Sequence, residues 1–169
     1  MTDRVVLRGM TKADLERVRT WGNDSEVATF IDRVRPISEV EHEKWFEKMV
    51  QDPNVYLFAI DEKENRQHIG NVWLCNLDSR HRRAEIRVMI GDRNYWGKGF
   101  GREAVSAAVH FGFEKLNLHK IYAYVLSNNP RSKGMFEACG FIVEGNLKEE
   151  YFADGSYIDG CRLGIIRKE

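Results

Sequence analysis

Apolar residues recur along this chain in two textures, and the switches between them outline the architecture. Val5, Val6 and Leu7 form a short run that predicts a strand. Behind it Leu15, Val18 and Trp21 keep helical spacing, and Thr11 with Asp14 three residues on resembles a capping box. Ser38 with Glu41 is the S-x-x-E form, and Val40, Trp45, Phe46, Met49 and Val50 supply an apolar helix face until Pro53. The texture then changes. Val55 to Ile60 and Ile69 to Cys75 are strand-like runs parted by the polar turn around Glu64, Asn65 and Arg66. Ala84 to Ile90 alternates with Glu85 and Arg87, as a strand with two different faces does. Ala104, Val105, Ala108, Val109 and Phe111 return to helical spacing, and Lys120 to Leu126 predicts another strand. Asn129-Pro130 opens a short helix that Gly140 ends. Phe141 to Val143 and Tyr157 to Ile166 predict the last strands, with Asp154-Gly155 as a hairpin signal between them. The order is one strand, two helices, three strands, helix, strand, helix, two strands. It predicts α/β (α+β) architecture, a mixed sheet of about seven strands flanked by about four helices.

The length of 169 residues fits one domain over 1–169, and 43% apolar residues with 3 prolines can bury a core, which excludes a disordered chain. Lys plus Arg (26) balances Asp plus Glu (26), so no global field draws the protein to nucleic acid or to an anionic membrane. Cys75, Cys139 and Cys161 are an odd count without CxxC spacing, and the five histidines have no partner at ligand spacing. Neither a disulfide framework nor a metal site is expected. Asp3 and Arg4 stand where a signal peptide needs its apolar stretch, and no run approaches the ~18 apolar residues of a membrane span. A cytoplasmic protein is the expectation.

Local charge and glycine spacing carry the chemistry. Gly97, Gly99 and Gly101 alternate between a predicted strand and a predicted helix, which brings backbone N–H groups and a helix dipole to one place. From Asp78 to Arg102 seven bases face three acids, a local +4 in a chain of net zero. A phosphate is the natural guest; a tight turn with a solvated basic edge is the bland reading. The G-x-G-x-G spacing is neither the G-x-G-x-x-G of a dinucleotide fingerprint nor a P-loop.

Asp92-Arg93-Asn94-Tyr95-Trp96-Gly97-Lys98-Gly99-Phe100-Gly101 resembles the acetyl-CoA pyrophosphate loop of the GNAT (Gcn5-related) N-acetyltransferases, Gln/Arg-x-x-Gly-x-Gly/Ala, with Trp96 at the Gln/Arg position. Asn129-Pro130-Arg131-Ser132 with Phe136, Glu137, Gly140 and Phe141 resembles a second family segment, N-x-x-A/S followed by Y-E-x-x-G-F. The strand order is that of the family, and the likeness runs from about Val5 to Ile166. Ala84-Glu85-Ile86 and Glu144-Gly145-Asn146-Leu147-Lys148 look most like the branch of ribosomal-protein N-terminal and spermidine acetyltransferases.

The resemblance implies a single GNAT domain that uses acetyl-CoA as co-substrate and no metal. It implies cofactor contacts from Trp96, Gly97, Lys98, Gly99, Phe100, Gly101 and Arg102, from a splayed strand at Val88, Met89 and Ile90, and from Asn129, Ser132 and Phe136. Acetyl transfer needs a neutral amine, a polarised thioester and a proton for the leaving thiolate. Glu85 is the candidate base, with Glu150 as rival; a cross-strand ion pair is its alternative role, and Arg87 shares its strand face. Many relatives protonate the thiolate with a tyrosine where this chain has Phe136, which leaves Ser132 as the candidate acid unless it only caps its helix.

From Asn23 to Asp52 eight acids face four bases, which would favour a cationic acceptor such as a polyamine or a protein N-terminal amine; a solvated helix face is the bland account. Trp21 and Trp45 could stack on a ring, so a nucleotide-linked amino sugar is an alternative acceptor, and a non-catalytic acetyl-CoA-binding module is a second alternative. Small-molecule or peptide amines are thus the expected partners, with no nucleic acid and no membrane, and a homodimer is the assembly considered.

Overall fold

The computed structural model describes residues 4–30, 36–153 and 155–168. Asp3, Asp32, Arg33, Arg35 and Asp154, which enter the charge, leader and hairpin expectations, lie outside the described residues. Strands β1 (Val5–Gly9), β2 (Tyr56–Glu62), β3 (Gln67–Asp78), β4 (Arg83–Ile90), β5 (Lys120–Leu126), β6 (Ile142–Ala153) and β7 (Ser156–Ile166) make one sheet in the order β1-β2-β3-β4-β5-β7-β6. Only β4 and β5 are parallel. The connection between them is α4 (Phe100–Glu114), the crossover helix that a parallel pair requires. α4 turns Ala104, Val105 and Ala108 onto Val72, Leu74, Ile86 and Ile121, all buried in the main core. Small side chains on that face let helix and sheet approach closely.

The opposite face of the sheet is covered near β2 and β4 by α1 (Leu15–Asn23), α2 (Ser25–Phe30) and α3 (Glu39–Gln51). Leu15, Val18, Val27 and Phe46 form a second cluster there with Met10 and Met89. Ser38 caps α3 as its spacing predicts, accepting from the Glu41 N–H at 3.2 Å. At Thr11 the Asp14 carboxylate accepts from the Thr11 N–H at 2.8 Å, but the turn it closes is a 3₁₀ turn, Lys12–Asp14, ahead of α1. The last helix, α5 (Pro130–Ala138), begins with proline in its first turn, where no backbone donor is missed.

Two elements depart from the sequence pattern. α2 is a helix of six residues whose start is set by Asp24, with Oδ1 accepting from the Glu26 N–H at 2.9 Å. β6 runs to Ala153 rather than stopping at Val143. It is an edge strand with two register shifts against β7, and Glu149 sits at φ +49°. Mostly exposed and twice bulged, it carries no period of two for a sequence reading to detect.

Candidate active site

β4 and β5 run side by side only at their starts. Their ladder pairs Arg83 with Lys120, Ala84 with Ile121 and Glu85 with Tyr122, and ends there. Residues 86–90 stay with β3 while 123–126 stay with β7, so the two inner edges part and turn backbone groups into the gap. The splay implied at Val88, Met89 and Ile90 is therefore present in the fold. A cavity of about 340 Å³ spans it. Val88, Met89 and Ile90 line one side, Asn129, Arg131, Ser132 and Met135 the other, and Val27 reaches in from α2.

The glycine loop closes the end of the cavity with Tyr95, Trp96, Gly97 and Gly99, followed by Phe100, Gly101 and Arg102 of α4. Gly97 at φ +74° and Gly99 at φ +87° both take the left-handed backbone that glycine adopts without strain. Gly99 is the N-cap of α4. The first-turn N–H groups after it have no acceptor within the helix and add to the positive end of its dipole. Asp92 braces the loop by accepting from the Asn94 N–H at 3.0 Å and from Gln67 Nε2 at 2.9 Å. Trp96 Nε1 donates to the Ile90 carbonyl at 2.6 Å.

Two residues grouped with the cofactor contacts do not themselves line this cavity. Lys98 borders an adjoining hollow with Glu62 and Gln67, and its carbonyl accepts from Arg4 Nη2 at 3.0 Å. Phe136 is buried in the main core with its ring centroid 5.1 Å from that of Phe141, and it does not line the cavity. α5 is short and turns that position inward, beneath the helix rather than toward the gap. Ser132 does line the cavity, and it is not a cap: its N–H donates to Asn129 Oδ1 at 3.0 Å, which makes Asn129 the N-cap of α5.

Glu85 sits at the last rung of the β4–β5 ladder, only 5% exposed. Its Oε1 accepts from Arg87 Nε at 2.6 Å and its Oε2 from Asn76 Nδ2 at 2.8 Å. Val88 is three residues further on, about 10 Å along the strand, so Glu85 stands at the apex of the splay and outside the cavity lining. Its register partner Cys75 is pushed up to about 11 by burial and by the Glu85 charge, which keeps the thiol protonated and inert at neutral pH. Glu150 is exposed on β6.

Part of the acidic helix region is paired. Asp24 and Glu26 both hold Arg93, at 3.0 and 2.7 Å, Glu47 meets Lys12 at 3.4 Å, and Glu41 belongs to the α3 cap. Asp24 and Glu26 share a single cation, so an acidic excess remains on this side of the molecule. Trp21 packs edge-on against His68 at 5.0 Å and Trp45 stacks on His42 at 5.2 Å; neither lines the cavity. Sequence reasoning missed Val27, Tyr95, Arg131 and Met135 as lining residues. Asp24 as an N-cap would have signalled the helix that carries Val27, and Arg131 stood inside the Asn-Pro-Arg-Ser segment without being singled out.

The family model for the acetyltransferase (GNAT) domain matches residues 4–142. Spermidine N(1)-acetyltransferase of Vibrio cholerae is 31% identical over 169 residues, covering 100% of this chain and 96% of that protein. The crystal structure of spermidine N-acetyltransferase from Vibrio cholerae in complex with CoA and spermine superposes with a TM-score of 0.90 at 32% identity, over 96% of this chain and 95% of that one. A dodecameric structure of the Vibrio cholerae enzyme in an intermediate state gives a TM-score of 0.82 at 32% identity, over 96% and 94% of the two chains.

Proposed function

The chain belongs to the GNAT acetyltransferase family and is an acetyl-CoA-dependent N-acetyltransferase, and from that premise we propose that its acceptor is a polyamine of the spermidine class. One observation carries the reading: the cavity lies where β4 and β5 part and is headed by the glycine-started helix α4. Full-length likeness to spermidine acetyltransferases supports the choice of acceptor.

Acetyl-CoA supplies the activated thioester. In our reading the loop N–H groups from Gly97 to Arg102 hold its pyrophosphate, and the free edge of Val88, Met89 and Ile90 orients the pantetheine arm and polarises the thioester oxygen. Asn129 hydrogen-bonds the arm from the other wall. A carboxylate offers about four lone-pair sites, and Arg87 and Asn76 occupy two on Glu85. Glu85 can therefore still take the ammonium proton through a chain of waters. Ser132, on the cavity wall, passes a proton to the leaving thiolate as the C–S bond breaks and regains one from water, which takes up the proton that the acylated nitrogen sheds. Phe136 cannot do this, having neither a proton nor access.

No helix among the described residues is long and apolar enough to cross a membrane. We place the reaction in the cytoplasm, where the three cysteines stay reduced. The Vibrio cholerae relative forms a dodecamer, and self-association of this chain is part of the proposal. Light scattering on the purified protein tests it, a monomer at all concentrations being the contrary result. The acceptor is tested by thiol release from acetyl-CoA with spermidine, basic peptides, aminoglycosides and nucleotide-linked amino sugars. Spermidine should give the highest kcat/KM. A preference for any other class would overturn the polyamine reading, and no release with any amine would leave a binding module.

A further inference from the structure

Two arginines line the cavity, Arg102 in the first turn of α4 and Arg131 on α5, and the bases around them are committed. Arg87 holds Glu85, Arg93 holds Asp24 and Glu26, Arg83 meets Asp78 at 3.4 Å, and Arg4 holds Glu103. Arg131 has no carboxylate partner among the described residues, and it lines the cavity wall opposite the glycine loop. Its guanidinium carbon lies over the Trp96 ring, 5.3 Å from the centroid. Its Nη2 comes within 3.7 Å of where a Cβ on Gly97 would stand. One cation therefore reaches from α5, on the β5 side, across to the loop on the β4 side.

Both ends of that reach are fixed by the fold. Pro130 and the Asn129 cap set the first turn of α5, from which the Arg131 side chain departs. Trp96 is held by its indole N–H on the Ile90 carbonyl, so its face is presented to the guanidinium. A cation over an aromatic face is held by the ring quadrupole and keeps its N–H donors for another partner. Those donors form a fork that matches two phosphate oxygens. A planar cation on an aromatic platform, beside loop N–H groups and without an anion of its own, is a site for a phosphate group.

We infer that Arg131 grips the pyrophosphate of CoA from across the gap, with Trp96 as the platform that holds it in place. The inference rests on the acetyl-CoA reading of the cavity and assigns a residue that the glycine loop does not contain. Proximity to Gly97 selects the pyrophosphate rather than the 3′-phosphate.

Calorimetry with CoA and dephospho-CoA, and turnover with acetyl-CoA and S-acetylpantetheine, test it on wild type, Arg131→Met and Arg131→Lys. Arg131→Met should weaken CoA and dephospho-CoA by the same factor, at least about tenfold, with Arg131→Lys between it and wild type. Its kcat/KM loss on acetyl-CoA should exceed its loss on the phosphate-free thioester by a similar factor. Equal losses on both thioesters would mean a structural role. Loss confined to CoA, with dephospho-CoA unaffected, would move the contact to the 3′-phosphate, and unchanged CoA affinity would remove the contact; each of the three overturns the assignment alone. A wild type that binds no CoA would overturn the reading of the cavity and this assignment with it.

Discussion

Arg87 Nε stands 2.6 Å from Glu85 Oε1, so the carboxylate at the apex of the splayed strands is held by a guanidinium two residues along the same strand. The two ends of that pair differ: the Glu85 side chain is 6% exposed and that of Arg87 is 54% exposed. Arg87 can swing into solvent while Glu85 stays in place. If Glu85 relays the ammonium proton, Glu85→Gln keeps shape and loses charge, and the rate should fall most at neutral pH. The deficit should shrink as pH nears the amine's own pKa of about 10, where solvent supplies neutral amine. A kcat/KM profile decides it: a deficit constant from pH 7 to 10 would mean that Glu85 positions the acceptor, and Glu150 would become the base to test.

The thiolate's proton gives a contrast between two neighbours on α5. Ser132→Ala should lower kcat by about 10²-fold or more, within the usual range for a general acid, while CoA affinity changes little. Phe136→Tyr should not raise the rate, because its ring packs on Phe141 in the core. It should instead lower stability by about 1–3 kcal/mol, the cost of a buried hydroxyl without a partner. Wild-type turnover in Ser132→Ala, or a faster Phe136→Tyr enzyme, would reverse these assignments.

The glycine loop is tested by charge against shape. Gly99→Asp sets a carboxylate at the N-cap of α4, and Gly99→Asn sets a neutral side chain of similar size that tolerates the left-handed backbone. CoA affinity should fall at least about tenfold in Gly99→Asp and distinctly less in Gly99→Asn. Equal losses in calorimetry would show that the added side chain at φ +87°, and not its charge, weakens binding, and would remove the argument that an anion sits at the helix start.

Much of this site was legible because its signals are local. Gly97, Gly99 and Gly101 mark the loop by backbone conformation alone, and Asn129-Pro130 marks a helix start by its capping chemistry. Ala84 to Ile90 showed its two faces by alternation, and the buried Ala84 and Ile86 with the paired Glu85 and Arg87 are those faces. What stayed hidden is set by distant parts of the chain. Asn76, the second partner of Glu85, lies nine residues away in a bulge of β3 at φ +52°. Arg131 meets Trp96 only because two strands part between them. The long β6 edge and the inward turn of Phe136 likewise depend on tertiary packing, which no period in the sequence records.

A buried polar network beside the second core cluster makes stability depend on pH. Arg8 bridges Asp14 at 2.8 Å and Asp61 at 2.7 Å. Burial pushes the Asp14 carboxyl upward, but its hydrogen bonds from Arg8 and Thr11 outweigh that and hold it well below the usual carboxylate range. His68, 2% exposed under Trp21, places Nε2 2.9 Å from the Gly70 carbonyl, which can only accept, so that nitrogen carries the proton. Burial lowers the His68 pKa below its ordinary 6.5, against the opposing pull of Asp14. Both shifts have one sign. Below pH 6.5 the unfolded chain takes a proton on His68 that the folded protein resists, so stability falls as pH falls. A second loss begins below the ordinary Asp value of 3.8, as unfolded Asp14 protonates while the folded carboxylate holds its charge. Thermal melts should therefore show Tm declining from pH 6.5 toward 5, and His68→Gln should flatten that window. Asp14→Asn should destabilise at all pH values above 4 by about 2 kcal/mol, less than the 3–5 of a fully buried pair because Arg8 keeps Asp61 and some water. A wild-type Tm that stays level from pH 7.5 to 5 would show that His68 takes up its proton in the folded state as readily as in the unfolded one.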